Sequence, residues 1–176
     1  ELCEYTEIDK VDIELSQNPG AELVDNTFSI VIDDAEWAAN QARIGGYIYC
    51  PWTEYGGQIA FISHNTQEHT IKLEGATWRG LLFRRVIEPP SGQGYKVYTD
   101  VDVLDFVRDV IGNKYGSLFS VASGQYGKTV SGEFRYQTVA EALHSTLRAA
   151  GLRLVLAFDN TQAVVLVSVE PVDDLT

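Results

Sequence analysis

The sequence is informative first for what it lacks. None of its 176 residues is methionine, which predicts that the chain is a trimmed or processed piece of a longer protein. Its two cysteines, Cys3 and Cys50, are too few for a disulfide framework. We expect two unrelated thiols in a reducing compartment, with a single bridge as the alternative. No apolar run approaches the roughly 20 residues of a membrane-spanning helix, and no charged-then-apolar leader opens the chain.

Basic residues are also scarce. Thirteen lysines and arginines stand against 25 acidic residues, which gives a net charge of −12 and argues against a protein that wraps nucleic acid. The acids concentrate near the start, where Lys10 is the one base in the first 36 residues. The eleven carboxylates there are Glu1, Glu4, Glu7, Asp9, Asp12, Glu14, Glu22, Asp25, Asp33, Asp34 and Glu36. They predict either a solvated face or an electronegative surface that repels DNA.

Strand signals dominate the first half of the chain. Phe28, Ile30 and Ile32 alternate with their neighbours, and Tyr47 to Cys50 is a second strand-like run. Gly57 to His64 and His69 to Gly75 form the clearest hairpin. A short helix, Asp34 to Arg43 with Asp34 as its cap, interrupts the strands. At 45% hydrophobic residues the chain can bury a core. The several short strands predict that residues 1–92 form a small β-barrel or sandwich domain.

The second half, residues 93–176, alternates helices with pairs of strands. Capping boxes are predicted at Thr99 to Asp102 and at Thr138 to Glu141, each followed by an amphipathic helix. The strand signals lie at 118–121, 129–136, 153–158 and 163–169. The order α-β-β-α-β-β predicts two helices on one face of a four-stranded sheet, as a duplicated α-β-β unit. The predicted fold class is therefore α+β.

No residue pattern in the sequence carries a catalytic signature. His64 and His69 flank a hairpin loop beside Glu68, but a metal site needs three or four convergent ligands. Glu88 precedes Pro89, which favours an extended strut over a proton donor. His144 is expected to be a surface residue. We therefore predict no enzyme, and no catalytic, cofactor-binding or metal-binding residues.

Aromatic and arginine side chains are the stronger candidates for function. Trp37, Trp52 and Trp78 suit core filling or subunit contacts, because large rings bury much area at little cost in rotamer entropy. A carbohydrate platform is the alternative for the exposed rings. Three arginines in this acidic half are predicted either to pair with carboxylates of their own chain or to meet a neighbouring copy: Arg79, Arg84 and Arg85.

One stretch, Gly75 to Gly92, joins the two halves and reads G-A-T-W-R-G-L-L-F-R-R-V-I-E-P-P-S-G. Trp78 is predicted to anchor the end of the β domain. Pro89 and Pro90 are predicted to stiffen the connection to the second half. Together with Glu54 to Ile59 and the strand Thr70 to Gly75, this stretch resembles the tail-tip, or baseplate hub, proteins of long-tailed bacteriophages and prophages.

The resemblance runs from about residue 25 to the end, and residues 54–92 carry its specific motifs. Ala76 stands where the family often has Arg, and Phe61-Ile62 where it often has Gly-Ile. The family implies a structural module with no active site in this region. It also implies a homotrimer around the tail axis, with the tube protein and a distal tail adaptor as partners. The location implied is the virion tail, after synthesis in the bacterial cytoplasm.

The resemblance also implies that this chain is the N-terminal portion of such a protein, ahead of a second β domain that would follow a segment like Val172 to Thr176. Two other functions stay open from the residues. One is a carbohydrate-binding module for host glycans, and the other is a non-catalytic fragment of a tail-associated cell-wall hydrolase.

Overall fold

A computed structural model describes residues 8–13, 26–40 and 42–172. Cys3, most of the acidic N-terminal residues and the last four residues lie outside this described part. The elements of the first half are five strands and two short helices: β1 (Ile8–Ile13), β2 (Thr27–Asp33), α1 (Asp34–Asn40), β3 (Tyr47–Tyr49), β4 (Gly56–Asn65), β5 (Thr70–Thr77) and α2 (Trp78–Leu82).

The five strands form one antiparallel sheet in the order β1-β2-β5-β4-β3, which curls into a half-barrel. Alternation along β2 buries Phe28, Ile30 and Ile32, as the sequence predicts. Strand β1 has an irregularity in its pairing between Ile8 and Lys10, which lets Ile8 pair opposite Ile32. The helix α1 begins where predicted, although the carboxylate of Asp33, rather than Asp34, accepts the Ala35 N–H at 2.8 Å.

The second half contains β6 (Lys96–Asp102), α3 (Val103–Ile111), a 3₁₀ turn (Gly112–Tyr115), β7 (Phe119–Val121), β8 (Thr129–Phe134), α4 (Val139–Ala149), β9 (Leu152–Asp159) and β10 (Val164–Pro171). The chain is thus a β domain followed by α/β elements, and the predicted fold class is confirmed. The capping box that begins α4 is present, with reciprocal bonds between Thr138 and Glu141.

Three details of the predicted second half are wrong. The four-stranded sheet is instead a three-stranded sheet, β7-β10-β9, and a separate pair, β6-β8. The α-β-β unit is not duplicated in its pairing, because β9 and β10 form a hairpin whereas β7 and β8 belong to different sheets. The predicted capping box at Thr99 lies within β6, and Asp102 caps α3 by accepting the Leu104 N–H at 2.9 Å.

Two hydrophobic clusters hold the described residues together. The smaller one lies on the five-stranded sheet and contains Phe28, Ile30, Ile32, Ile59, Ile71 and Leu73. The larger one fills the second half, and it also contains Trp78, Leu81, Leu82 and Ile87 from the first 92 residues. The division at residue 92 stays a prediction. What the structure shows is that α2 and Ile87 pack in the core of the α/β elements.

Candidate assembly surfaces

The four residues Thr77-Trp78-Arg79-Gly80 each have a distinct structural role. Thr77 caps α2, since its hydroxyl accepts the Gly80 N–H at 3.2 Å and donates to the Asn26 carbonyl at 2.8 Å. Trp78 is fully buried. Gly80 lies so close to the residue before strand β2 that an added Cβ would stand 2.3 Å from the Asn26 carbonyl oxygen. This part of residues 75–92, the joint between the two halves of the chain, is therefore held in place by close packing.

Trp78 contacts both halves of the chain. Its ring stacks on Phe158 of β9 with centroids 5.2 Å apart, and it lies 5.6 Å from the Tyr47 ring of β3. The sequence predicts that Trp78 anchors the end of the β domain, and that role stays a prediction. The structure places Trp78 in the core of the α/β elements, with its Nε1 beside Gly56 of β4.

Arg79 links the same two halves by polar contacts. Its Nε donates to Glu54 Oε2 at 2.9 Å, and its Nη2 donates to the Leu154 carbonyl of β9 at 2.7 Å. The side chains of Arg79 and Glu54 are only 14% and 15% exposed. Of the two roles predicted for Arg79, pairing within its own chain is the one present here.

The loop after β3 also bonds to β9. The Trp52 N–H donates to the Phe158 carbonyl at 2.8 Å, and the Phe158 N–H donates to the Thr53 carbonyl at 2.9 Å. Trp52 itself is 59% exposed and has a φ of 59°. A bulky residue at positive φ is uncommon and strained. Trp37, in contrast, is half-buried against the smaller cluster, with its ring edge-on to His64 at 5.0 Å.

The proline segment follows a tightly bonded stretch of chain. Ile87 donates its N–H to the Gln137 carbonyl and accepts from the Tyr136 N–H, and Val139 donates to the Arg85 carbonyl. These bonds attach residues 85–87 to the beginning of α4. Pro89 is half-buried and Pro90 exposed, and the predicted stiffening role of both prolines stays a prediction.

An apolar groove opens between the two edges of the half-barrel. It has a volume of about 440 Å³. Among the described residues, β1 and β3 are the outer strands of the sheet, and both line this groove. Ile8 and Val11 of β1 are 44% and 47% exposed there. The groove walls are Ile8, Val11, Ile13, Phe28, Ile30, Ile48, Tyr49, Cys50, Tyr55 and Gly56.

A second opening, the basic cleft, lies beside the joint and has a volume of about 450 Å³. Arg84 and Arg85 reach it from the end of α2, and Lys114 and Tyr115 reach it from the 3₁₀ turn. Arg84 Nη1 donates to Gln58 Oε1 at 2.9 Å, and Tyr115 Oη donates to the Leu82 carbonyl at 3.1 Å. The sequence predicts a role for the two arginines but not for Lys114, which is 29 or more positions away in the chain.

The residues considered for catalysis or metal binding do not converge. Glu88 is exposed, and His64 and His69 lie on an exposed hairpin end. Within the described part of the chain, no three His, Cys, Asp or Glu residues are placed to hold a metal ion. Partial burial, together with Arg148 and Arg79, lowers the pKa of His144. No helix among the described residues is long and apolar enough to cross a membrane.

Comparisons with known proteins give matches in structure but not in sequence. Neither a protein-family model nor a curated protein matches the chain. A tail protein from Neisseria meningitidis matches 81% of this chain with 16% identity and a TM-score of 0.49. An E. coli component of the type VI secretion system, similar in structure to bacteriophage T4 tail proteins, matches 81% with 13% identity and a TM-score of 0.49. A 43 kDa tail protein of prophage MuSo2 from Shewanella oneidensis matches 86% with 15% identity and a TM-score of 0.45.

Two of these structures are tail proteins, and the third is described as similar in structure to bacteriophage T4 tail proteins. This chain spans less than half of each of them, at 41%, 41% and 48% of their lengths.

Proposed function

We propose that this chain is a structural module of a phage or prophage tail tip, which associates with further copies around the tail axis and docks neighbouring tail proteins. Its role is assembly, without catalysis. The motifs of residues 54–92 support this class of protein. A homotrimeric ring with the tube protein and a distal adaptor as neighbours is the arrangement that the resemblance implies.

The observation that carries the proposal is the apolar groove of the half-barrel. An antiparallel sheet with open edges and an exposed apolar lining leaves backbone groups and hydrophobic surface available for a partner. Here the two outer strands, β1 and β3, flank the same groove. An extended segment or a sheet edge of a partner would hydrogen-bond to the backbone of β1 or β3, and it would also cover the apolar side chains of the groove.

Sedimentation velocity and light scattering over a range of concentrations test the proposal. We expect reversible oligomers for the wild type and weaker association for Val11→Lys, because the charge enters the apolar groove. Val97→Lys is the matched control, since Val97 lies in the two-stranded β6-β8 sheet and is 54% exposed. A protein that stays monomeric at every concentration, and that binds no tail protein, contradicts the proposal.

Carbohydrate binding is the second candidate, and Trp52 is the observation that favours it. Exposed aromatic rings stack on sugars, and the strained backbone at Trp52 is of the kind found at functional sites. Glycan-array binding that is lost in Trp52→Ala but kept in Tyr136→Ala would favour this function. Tyr136 is a suitable control because it is also exposed and also has positive φ.

A further inference from the structure

The basic cleft gathers positive charge on an otherwise acidic chain. Arg84, Arg85 and Lys114 line it together with the polar groups of Gln58 and Tyr115. Both arginines are exposed, and Arg84 is oriented by its bond to Gln58. Lys114 is half-buried, and its Nζ donates to the Val110 carbonyl at the end of α3. The three cations come from two segments of the chain that the fold brings to one opening.

Among the described residues, no carboxylate lines the basic cleft, although Arg84 also lines a neighbouring opening together with Asp12 and Glu74. Two of the charges near Lys114 are Lys96 and Asp109, which pair with each other: Lys96 Nζ lies 2.6 Å from Asp109 Oδ2. The same carboxylate oxygen accepts a hydrogen bond from the Tyr98 hydroxyl. Glu88, which is exposed, is the other carboxylate whose field reaches Lys114. Burial, and then the like charge of Lys96, lowers the pKa of Lys114.

The complementary surface lies on the same chain. Its first 36 residues hold eleven carboxylates and one lysine, and the chain as a whole carries −12. Nucleic acid is disfavoured as an occupant by that net charge. A contact between two different patches of identical copies is called heterologous. Such contacts build a closed ring when the rotation from each copy to the next returns to the first copy. Such a contact fits the assembly proposed above.

We propose that the basic cleft of one copy receives the acidic region ahead of β2, residues 1–25, of the next copy. This inference rests on the proposed function, because it names a contact between copies in addition to the apolar groove. Arg84 and Arg85 supply the exposed charges, and Lys114 supplies a third from the cleft wall. The expected signature is association that weakens as ionic strength rises.

The first test is charge reversal at the cleft, read by sedimentation velocity. The Arg84→Glu, Arg85→Glu double variant is expected to raise the dissociation constant for self-association at least tenfold. The matched control, Arg43→Glu with Arg135→Glu, changes the net charge equally at exposed arginines outside the cleft and is expected to associate as the wild type does. Circular dichroism checks that each variant is folded.

The second test does not depend on oligomerisation. A labelled peptide of residues 1–17 is titrated with each protein, alongside the same peptide with Gln and Asn in place of Glu and Asp. We expect the acidic peptide to bind the wild type and the control variant, and to bind the cleft variant at least tenfold more weakly. Equal binding to the cleft variant, or equal binding by the neutral peptide, overturns the inference.

The two tests separate this inference from the proposed function. If the wild type self-associates and the cleft variant does so equally well, the cleft assignment fails while assembly stands. If the wild type is monomeric yet the peptide binds the cleft, self-association fails, and the cleft then takes the acidic region of its own chain. That result overturns the assignment to a second copy.

Discussion

The ring of Trp78 stacks on the ring of Phe158 with an interplanar angle of 8° and a centroid distance of 5.2 Å. The two residues are 80 positions apart, one at the start of α2 and the other in β9. Both are buried, and the backbone of Phe158 also bonds to Trp52 and Thr53. This contact joins the two halves of the chain through two buried aromatic rings.

Trp78→Ala is therefore expected to destabilise the whole chain. Removing a fully buried Trp costs about 3 to 5 kcal/mol in comparable cores. Because the ring packs in the core of the α/β elements and also touches Tyr47, we expect both halves to lose stability in one cooperative transition. Urea unfolding followed by far-UV circular dichroism measures the loss. Trp52→Ala is the control, and its exposed ring should change the free energy of unfolding far less. A Trp78→Ala transition superimposable on that of the wild type contradicts this role.

Arg79→Ala tests the polar link between the halves. The guanidinium joins Glu54 and the Leu154 carbonyl while mostly buried, so its removal leaves the Glu54 carboxylate without this partner. Breaking such a pair costs about 3 kcal/mol or more. Arg79→Lys should restore little of the lost stability, because one ammonium group cannot reach both Glu54 and the Leu154 carbonyl as the guanidinium does.

The control for that experiment is Arg153→Ala. The Arg153–Glu170 pair is 45% and 50% exposed, so its loss should cost less than about 1 kcal/mol. A double-mutant cycle of Arg79→Ala with Glu54→Gln isolates the pair. A coupling energy near zero would show that Arg79 acts only through its bond to Leu154.

The sequence predicted most of the elements because their signals are local. Alternation identified β2, the turn between β4 and β5 identified their hairpin, and the capping box of Thr138 and Glu141 located α4. Strand β6 was missed because Thr99 to Asp102 also has the spacing of a capping box. In the structure, β6 pairs with β8 and turns Tyr98 into the core, and only Asp102 serves as the cap.

The contacts at the joint could not be predicted because they join distant parts of the chain. Glu54 and Leu154 are 25 and 75 positions from Arg79, and no local pattern specifies either partner. The parallel pairing of β7 with β10 is equally non-local. The predicted four-stranded sheet is wrong because β8 pairs with β6, a strand that the sequence does not predict. Lys114 carries no signal in the sequence, because there it is an isolated lysine after a helix.

Gly80→Ala is expected to destabilise the protein although alanine favours helices. In an open helix position this substitution stabilises by about 1 kcal/mol. At Gly80 the new Cβ would stand 2.3 Å from the Asn26 carbonyl oxygen and 3.1 Å from the Ala76 Cβ, so the backbones of α2 and Asn26 must separate. Gly94→Ala is the control, because nothing lies within 4 Å of its added Cβ. Thermal melts should show a clear loss for Gly80→Ala and no loss for Gly94→Ala. Equal melting temperatures for the two variants would refute the close approach.

Asp102 gives the fold a dependence on pH. Its carboxylate accepts the Leu104 N–H at the beginning of α3 and the N–H groups of Tyr126 and Gly127 from the loop before β8. Partial burial alone would raise the pKa of Asp102, but the N–H groups of Gly127, Tyr126 and Leu104 outweigh it and lower the pKa below its usual value. A carboxyl group with a lowered pKa in the folded state contributes stability above its unfolded pKa. That contribution is lost as the pH falls through the folded value.

Asp102→Ala should therefore cost about 1 to 2 kcal/mol at pH 7, the range measured for lost helix caps. The difference from the wild type should shrink as the pH falls below the ordinary pKa of 3.8 and the wild-type carboxylate takes up a proton. Urea unfolding of both proteins between pH 7 and pH 2.5 measures this. The pKa of Asp109 is also lowered, but Asp109 is present in both proteins and its effect cancels in the difference. A difference that is constant across this pH range would mean that the charge of Asp102 adds nothing beyond its side-chain packing.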